Sequence, residues 1–426
     1  MLIKIQKYDG QTSEELFGRR DEITYNVEEK VKEIIAEVRE KGDAALRDYA
    51  AKFDGYTGGE LEVSQAEIDE AFAVIDEKYI QTLKNSIKNI ENFHSRQKRD
   101  GFEIDLGDRI IGQKVTAVAS AGIYVPGGTA AYPSTVLMNA IPAKIAGVNK
   151  IYMATPVKSD GKVKPEVLVA ASLCGVDKIY KTGGAQAIAA FAYGTQTVPK
   201  VDKITGPGRD FVATAKKLVS GITCGIDMVA GPSEILVLAD GNAKPENVAA
   251  DLLSQAEHDK IASAILITDS EKLAESVDLQ LEKQVKKLER SEIALASLEN
   301  NCKIIVTQNL DSAVELCNEY APEHLELAVS EPFRLLEKVK NAGSVFLGYN
   351  TPEAVGDYYA GPNHTLPTSG TARFSSPLGV DDFVKTTQYV YYTEQALKSA
   401  ADDIISFANS EGLGAHAESV AVRTKK

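Results

Sequence analysis

From about residue 115 onward, short β-rich runs alternate with helical stretches rich in Ala and Leu, and that alternation leaves room for little except parallel sheets flanked by helices. The runs Gly122–Val125, Lys150–Thr155, Lys178–Thr182 and Lys203–Ile204 define a first α/β lobe. After Gly231 the rhythm resumes with Ile235–Leu238, Ala264–Thr268, Lys303–Val306 and Ser344–Leu347, the strands of a second parallel sheet. Two α/β lobes imply a cleft between them. Upstream, residues 12–100 read as charged amphipathic helices. One begins with the pair Asn26 and Glu29, carries Val27, Val31, Ile34, Ile35 and Val38 at helical spacing, and stops at Gly42. Downstream, the pattern predicts a helix from Gln395 to Ser410, the Gly-rich turn Glu411-Gly-Leu-Gly414 and a short terminal strand.

Three Gly-rich turns follow strands of the first lobe and open helices: Tyr124-Val-Pro-Gly-Gly-Thr129, Thr182-Gly-Gly-Ala-Gln186 and Thr205-Gly-Pro-Gly-Arg209. Bare N–H groups at such helix starts suit a phosphate or another anion. None matches a G-x-G-x-x-G fingerprint or a Walker A loop. Gly-Gly in a tight βα turn is commonplace, but three on one edge of one sheet favour a dinucleotide, because ligands of open α/β sheets bind where strands end. A fourth turn, Ala230-Gly-Pro-Ser233, adds a hydroxyl at the expected junction of the lobes.

Charge narrows the partners. With 47 Lys and Arg against 61 Asp and Glu, the net charge is −14, and a field of that sign repels phosphate backbones and anionic lipid heads. Nucleic acid and membrane are not expected partners. No uncharged apolar run approaches the ~20 residues of a spanning helix, and the start MLIKIQKYDG lacks the features of a signal peptide. The expectation is a cytoplasmic protein. The four cysteines stand too far apart for a Cys-x-x-Cys pair and read as buried thiols.

The five histidines are His94, His258, His324, His364 and His416, and the last four stand beside acidic, amide or Gly/Pro residues. On a helix opened by Pro245, i, i+3 spacing puts Gln255 and His258 on one face. Glu323-His324 pairs a carboxylate with an imidazole, a combination suited to acid/base work, although neighbours in sequence need not point the same way. The stretch from Gly356 through Asp357 to His364 has little helix or strand propensity and reads as a functional loop. Glu411 and His416 bracket the turn near the terminus. Asp, His and an amide gathered from distant segments suit a metal site.

At this point the chain resembles the histidinol dehydrogenase family. The resemblance rests on Gly122-Ile-Tyr-Val-Pro-Gly-Gly128, Gly183-Gly-Ala-Gln186, Ala230-Gly-Pro-Ser-Glu234, Gln255-Ala-Glu-His-Asp259, Ala321-Pro-Glu-His-Leu325, Gly361-Pro-Asn-His-Thr-Leu-Pro-Thr368 and Glu411-Gly-Leu-Gly-Ala-His416, in order along nearly the whole chain. It implies two Rossmann-like α/β lobes with helical extensions at both ends, in an intertwined homodimer. The expected division is an arm over 1–22, a domain built from 23–121 and 234–378, a nucleotide-binding domain inserted at 122–233, and a tail over 379–426 that serves the partner's site. It implies one Zn²⁺ per subunit, held by Gln255, His258, Asp357 and His416. Glu323 and His324 would be the acid/base pair, while Ser233, His364 and Glu411 with the zinc ligands would meet the substrate. Tyr124 and Gln186 match nucleotide contacts. Arg209 stands where the family has Asn, and a guanidinium there suits a phosphate. The stretch Val115–Ser120 also departs from the family's Pro-containing pattern.

The implied chemistry is oxidation of L-histidinol through L-histidinal to L-histidine with two NAD, the last step of histidine biosynthesis. A relative acting on another small alcohol is the rival within enzymes. Glu411 and His364 favour the cationic amino alcohol over an acidic substrate.

Overall fold

The computed structural model describes residues 2–18, 27–127 and 131–425, which divide into two compact units. The larger unit spans residues 1–97 and 119–383, and the smaller comprises 98–118 and 384–426.

Two parallel sheets organise the larger unit. The first has the order Lys178–Lys181, Lys150–Thr155, Ser120–Tyr124, Lys203–Thr205, Gly225–Ile226. The chain starts in the middle at Ser120–Tyr124, winds outward two strands, then returns to the other side. Strand order therefore reverses between Ser120–Tyr124 and Lys203–Thr205, the place where such sheets open a crevice. The second sheet has the order Ile5–Lys7, Lys303–Val306, Ser263–Thr268, Glu234–Ala239, His324–Ala328, Ser344–Leu347. It too reverses, between Glu234–Ala239 and His324–Ala328, where His324 lies opposite Ile235. Glu234–Ala239 is buried along its whole length, as a central parallel strand covered on both faces must be.

The alternating runs in the sequence locate both sheets, but two strands of the second escape them. Ile5–Lys7 is a short edge, and His324–Ala328 carries a His and a Glu among its apolar residues. The helix Glu28–Lys41 forms as its spacing requires, burying Val31, Ile34, Ile35 and Val38 in a cluster with Ile188 and Phe191 of the helix Gly184–Tyr193. Gly42 ends it at φ 57. The expected Asn26 cap lies outside the described residues, and Val27 precedes the helix.

The Gly-Pro-Gly turn after Lys203–Thr205 is fixed by a buried ion pair. Lys216 Nζ lies 2.5 Å from Asp227 Oδ1 and donates to the Gly206 carbonyl at 2.8 Å, while the Gly206 N–H donates to Asp227 Oδ2 at 2.9 Å. Gly206 has φ 116, and a Cβ there would stand 2.1 Å from the Tyr124 carbonyl oxygen, so only glycine fits. Losing either charge would strand the other, a cost of about 3–5 kcal/mol.

The smaller unit is a three-stranded antiparallel sheet, Val384–Tyr392, Arg109–Ala117, Phe102–Asp105, with the helices Glu394–Ser410 and Gly414–Thr424. The second of these helices corrects the terminal strand expected from sequence. Gly414 opens a helix instead of closing a turn, and the β-branched Val420 and Val422 sit in its last turns. Phe102, Val390, Tyr391 and Phe407 are exposed on this unit.

Candidate active site

Glu323 and His324 arrive by an abrupt turn. The helix Leu310–Tyr320 ends at Ala321, a non-glycine residue at φ 52, and Pro322 forbids its continuation. A left-handed alanine costs about 1–2 kcal/mol, and the surrounding packing must sustain it, since Ala321 is fully buried. The turn delivers Glu323 and His324 to the amino end of a central strand, beside the amino end of Glu234–Ala239.

There one residue's backbone holds both side chains. The Glu234 N–H donates to Glu323 Oε2 at 2.8 Å, and the Glu234 carbonyl lies 3.0 Å from His324 Nδ1. A carbonyl only accepts, so Nδ1 carries the proton and the lone pair of the neutral ring sits on Nε2. That atom is buried and has no hydrogen-bond partner. It stands 3.6 Å from Glu353 Oε1 and 3.7 Å from Asp357 Oδ1, while Nδ1 is 3.7 Å from Glu323 Oε2. Burial alone would lower the pKa of the ring, but Glu353, Glu323 and Asp357 outweigh it and hold it well above the ordinary value. Burial pushes Glu323 up to about 8 against the pull of His324. Asp357 is half-buried, which would raise its pKa, yet His324 and the neighbouring histidines keep it below its usual range.

Gln255 and His258 meet, though not as the spacing argument supposed. The helix Pro245–Ala256 ends before His258, whose N–H donates to the Gln255 carbonyl at 3.1 Å as the chain turns off. The side chains still converge, with Gln255 Nε2 3.2 Å from His258 Nδ1. Gln255 Oε1 is buried without a partner, and His258, although exposed, has its pKa lowered by partial desolvation against the pull of Asp357. The 356–364 stretch is likewise more regular than expected. Glu353–Val355 is a helical turn that runs into the π-helical turn Gly356–Ala360, which carries Asp357. His364 then folds back so that Nδ1 lies 3.1 Å from the Asp357 carbonyl oxygen.

His324, Glu353 and Asp357 offer three ligand atoms within 4.8 Å of one another. Glu353 is thus a site residue that the sequence reading missed. Glu326 and Asp251 are others: Glu326 accepts the Glu353 N–H at 2.7 Å, and the charge of Asp251 helps raise the pKa of Glu326. The available signal was an acid inside the otherwise apolar strand His324–Ala328, buried throughout.

Ser233 is half-buried immediately before Glu234. In the first sheet, Tyr124 is buried and its hydroxyl accepts the Gly184 N–H at 3.1 Å at the start of the helix that carries Gln186. Arg209 is exposed and its guanidinium lies 3.4 Å from Asp259 Oδ2, next to His258. Glu411 and His416 belong to the smaller unit and are exposed there.

The sequence model of the family described as Histidinol dehydrogenase matches residues 18–424. The chain belongs to the histidinol dehydrogenase family. It is 56% identical to the histidinol dehydrogenase of Streptococcus mutans over 94% of this chain and 93% of that one. To the Lactococcus lactis histidinol dehydrogenase it is 50% identical over 99% of each. The crystal structure of the Elizabethkingia anophelis histidinol dehydrogenase superposes with a TM-score of 0.94 at 38% identity, covering 99% of this chain and 98% of that one. Membership makes the chain an NAD-dependent oxidoreductase of histidine biosynthesis acting on histidinol. Among the described residues no helix is long and apolar enough to cross a membrane.

Proposed function

We propose that the chain carries L-histidinol through L-histidinal to L-histidine at one site, reducing two NAD in turn. The observation that supports this most is the double grip of Glu234, which orients a carboxylate and an imidazole side by side with one imidazole nitrogen free.

The residues fit a divalent metal. A buried amide oxygen without a partner, an imidazole one turn along and an acid form a mixed N/O donor set of the kind zinc accepts. In this reading Gln255, His258, Asp357 and His416 of the partner subunit hold one Zn²⁺ per subunit. The tighter trio of His324, Glu353 and Asp357 is set aside as the ligand set because Nε2 of His324 is the atom needed as a base. Bound zinc would supply a positive template that orients the amine and imidazole of the substrate.

Neutral His324 accepts the hydroxyl proton at Nε2 as hydride passes from the carbinol carbon to NAD. Glu323, as carboxylate, then takes a proton from water as the water oxygen bonds to the aldehyde carbon, while protonated His324 returns its proton to the former carbonyl oxygen, giving the hydrate and a neutral imidazole. The hydrate loses a proton to His324 and hydride to the second NAD, leaving the carboxylic acid, which releases its proton to solvent and becomes the carboxylate. Ser233, His364 and Glu411 meet the substrate, while Tyr124, Gln186 and Arg209 meet the nucleotide in the inserted domain 122–233. The exposed apolar residues of the smaller unit support a homodimer with shared sites. Four buried free thiols suit the reducing cytoplasm.

Purified protein given zinc, NAD and L-histidinol should generate NADH and L-histidine. A complete absence of NADH would reject the reading.

A further inference from the structure

A cavity of about 860 Å³ opens where the first sheet's strands end. Its walls include Pro126 and Gly127 of the first Gly-rich turn, Thr155 and Pro156 after the second strand, and Asp54. Tyr124 stands close enough for the Asp54 charge to act on its hydroxyl. In dinucleotide-binding sheets, an acid at the end of the second strand accepts the ribose hydroxyls of NAD and repels the 2′-phosphate of NADP. Here the strand itself ends Thr155-Pro-Val-Lys-Ser159, and the first acid beyond it, Asp160, is an exposed wall residue whose Oδ1 accepts the Lys162 N–H at 3.0 Å.

Asp54 reaches the same region from outside the sheet. It closes the π-helical turn Ala50–Asp54, and the following Gly55, at φ 69, would place a Cβ 3.4 Å from Ser159 Cβ. The Asp54 carboxylate has no hydrogen-bond or ion-pair partner among the described residues. Burial raises its pKa to about 6, still low enough for it to carry charge at neutral pH. The cavity's lysines do not all stand free to take a phosphate: Lys162 lies 3.7 Å from Glu70, a wall residue on the helix Gln65–Val74. Lys158 also lines the wall and makes the opposite preference a real rival.

We propose that Asp54, whose carboxylate is unpartnered where that of Asp160 is held by the Lys162 N–H, is the specificity-determining residue of the nucleotide site, accepting a ribose hydroxyl of NAD and excluding the 2′-phosphate of NADP. This rests on the reading that NAD binds at the Gly-rich edge of the first sheet.

The test uses the full-length enzyme with zinc and saturating histidinol, varying NAD and NADP. Asp54→Asn and Asp54→Ser should raise the KM for NAD about tenfold and lower the NAD-over-NADP preference in kcat/KM by about tenfold or more, with the KM for histidinol unchanged. An unaltered preference in both variants would overturn the proposal. Two further variants separate its failure from that of the underlying reading. Ser159→Trp, at an exposed point on the cavity wall, should raise the KM for NAD. If it does not, while Gln186→Ala does, the nucleotide binds at the sheet edge but outside this cavity, and Asp54 has no part in selecting it. If neither substitution alters NAD dependence, the sheet-edge reading falls and the proposal with it.

Discussion

The Glu234 carbonyl oxygen lies 3.0 Å from His324 Nδ1 and thereby decides which ring nitrogen is basic. Removing that base tests its role. His324→Asn should lower kcat for alcohol oxidation about 10²–10⁴-fold while the KM values for NAD and histidinol stay within a few-fold. Only the neutral ring accepts a proton, and three acids favour the charged ring, so parent turnover should rise as pH climbs past the ordinary histidine range. A variant that keeps turnover would remove His324 from the chemistry.

Glu323 divides the two half-reactions. Glu323→Gln cannot take a proton from water, so oxidation starting from histidinal should slow more than oxidation of histidinol to the aldehyde. Single-turnover assays started from each compound compare the two directly. Equal losses would end the division of labour.

Metal removal should silence the enzyme without unfolding it. Gln255 and His258 come from the end of one helix and Asp357 from a π-helical turn, in a unit with large apolar clusters of its own, so the fold does not hang on the ion. Chelator should abolish turnover, leave the circular dichroism spectrum and melting cooperativity in place, and be reversed by zinc. Melting of the apoprotein on chelation, or full activity without metal, would contradict this.

The acids behind the site should make stability depend on pH. Burial raises Asp251 from 3.8 to about 6, and burial together with Asp251 raises Glu326 well above its ordinary value. Folding therefore takes up protons, and the folded state loses stability as pH rises from the ordinary carboxylate range through these raised values. Asp251→Asn removes one ionisation. Its melting temperature should gain on the parent's as pH climbs from the ordinary carboxylate range through about 6, and a difference independent of pH would show the pair to be uncoupled from folding.

Much of this was legible in the sequence, for identifiable reasons. The parallel strands are continuous apolar runs because both faces are covered, and glycine marks the turns because Gly206 tolerates no Cβ. The antiparallel ribbon stayed hidden because Phe102–Asp105 and Val384–Tyr392 are largely exposed and show no apolar face to count. Asp357 reads as a loop residue because Gly356 does not favour a helix, yet a π turn needs no strong propensity when packing supports it, whereas His364 lies in irregular chain as its Gly-Pro neighbours imply. Glu353, Glu326 and Asp251 were missed because their importance lies in meeting across elements, and an acid in sequence resembles any surface acid until its burial is known.

The account's central claim, a four-electron oxidation completed at one site, is tested most directly by product stoichiometry. A limiting amount of L-histidinol should yield two NADH for each L-histidine, with no aldehyde accumulating in solution, when the reaction runs to completion with excess NAD. One NADH per histidinol, with histidinal as the end product, would contradict it.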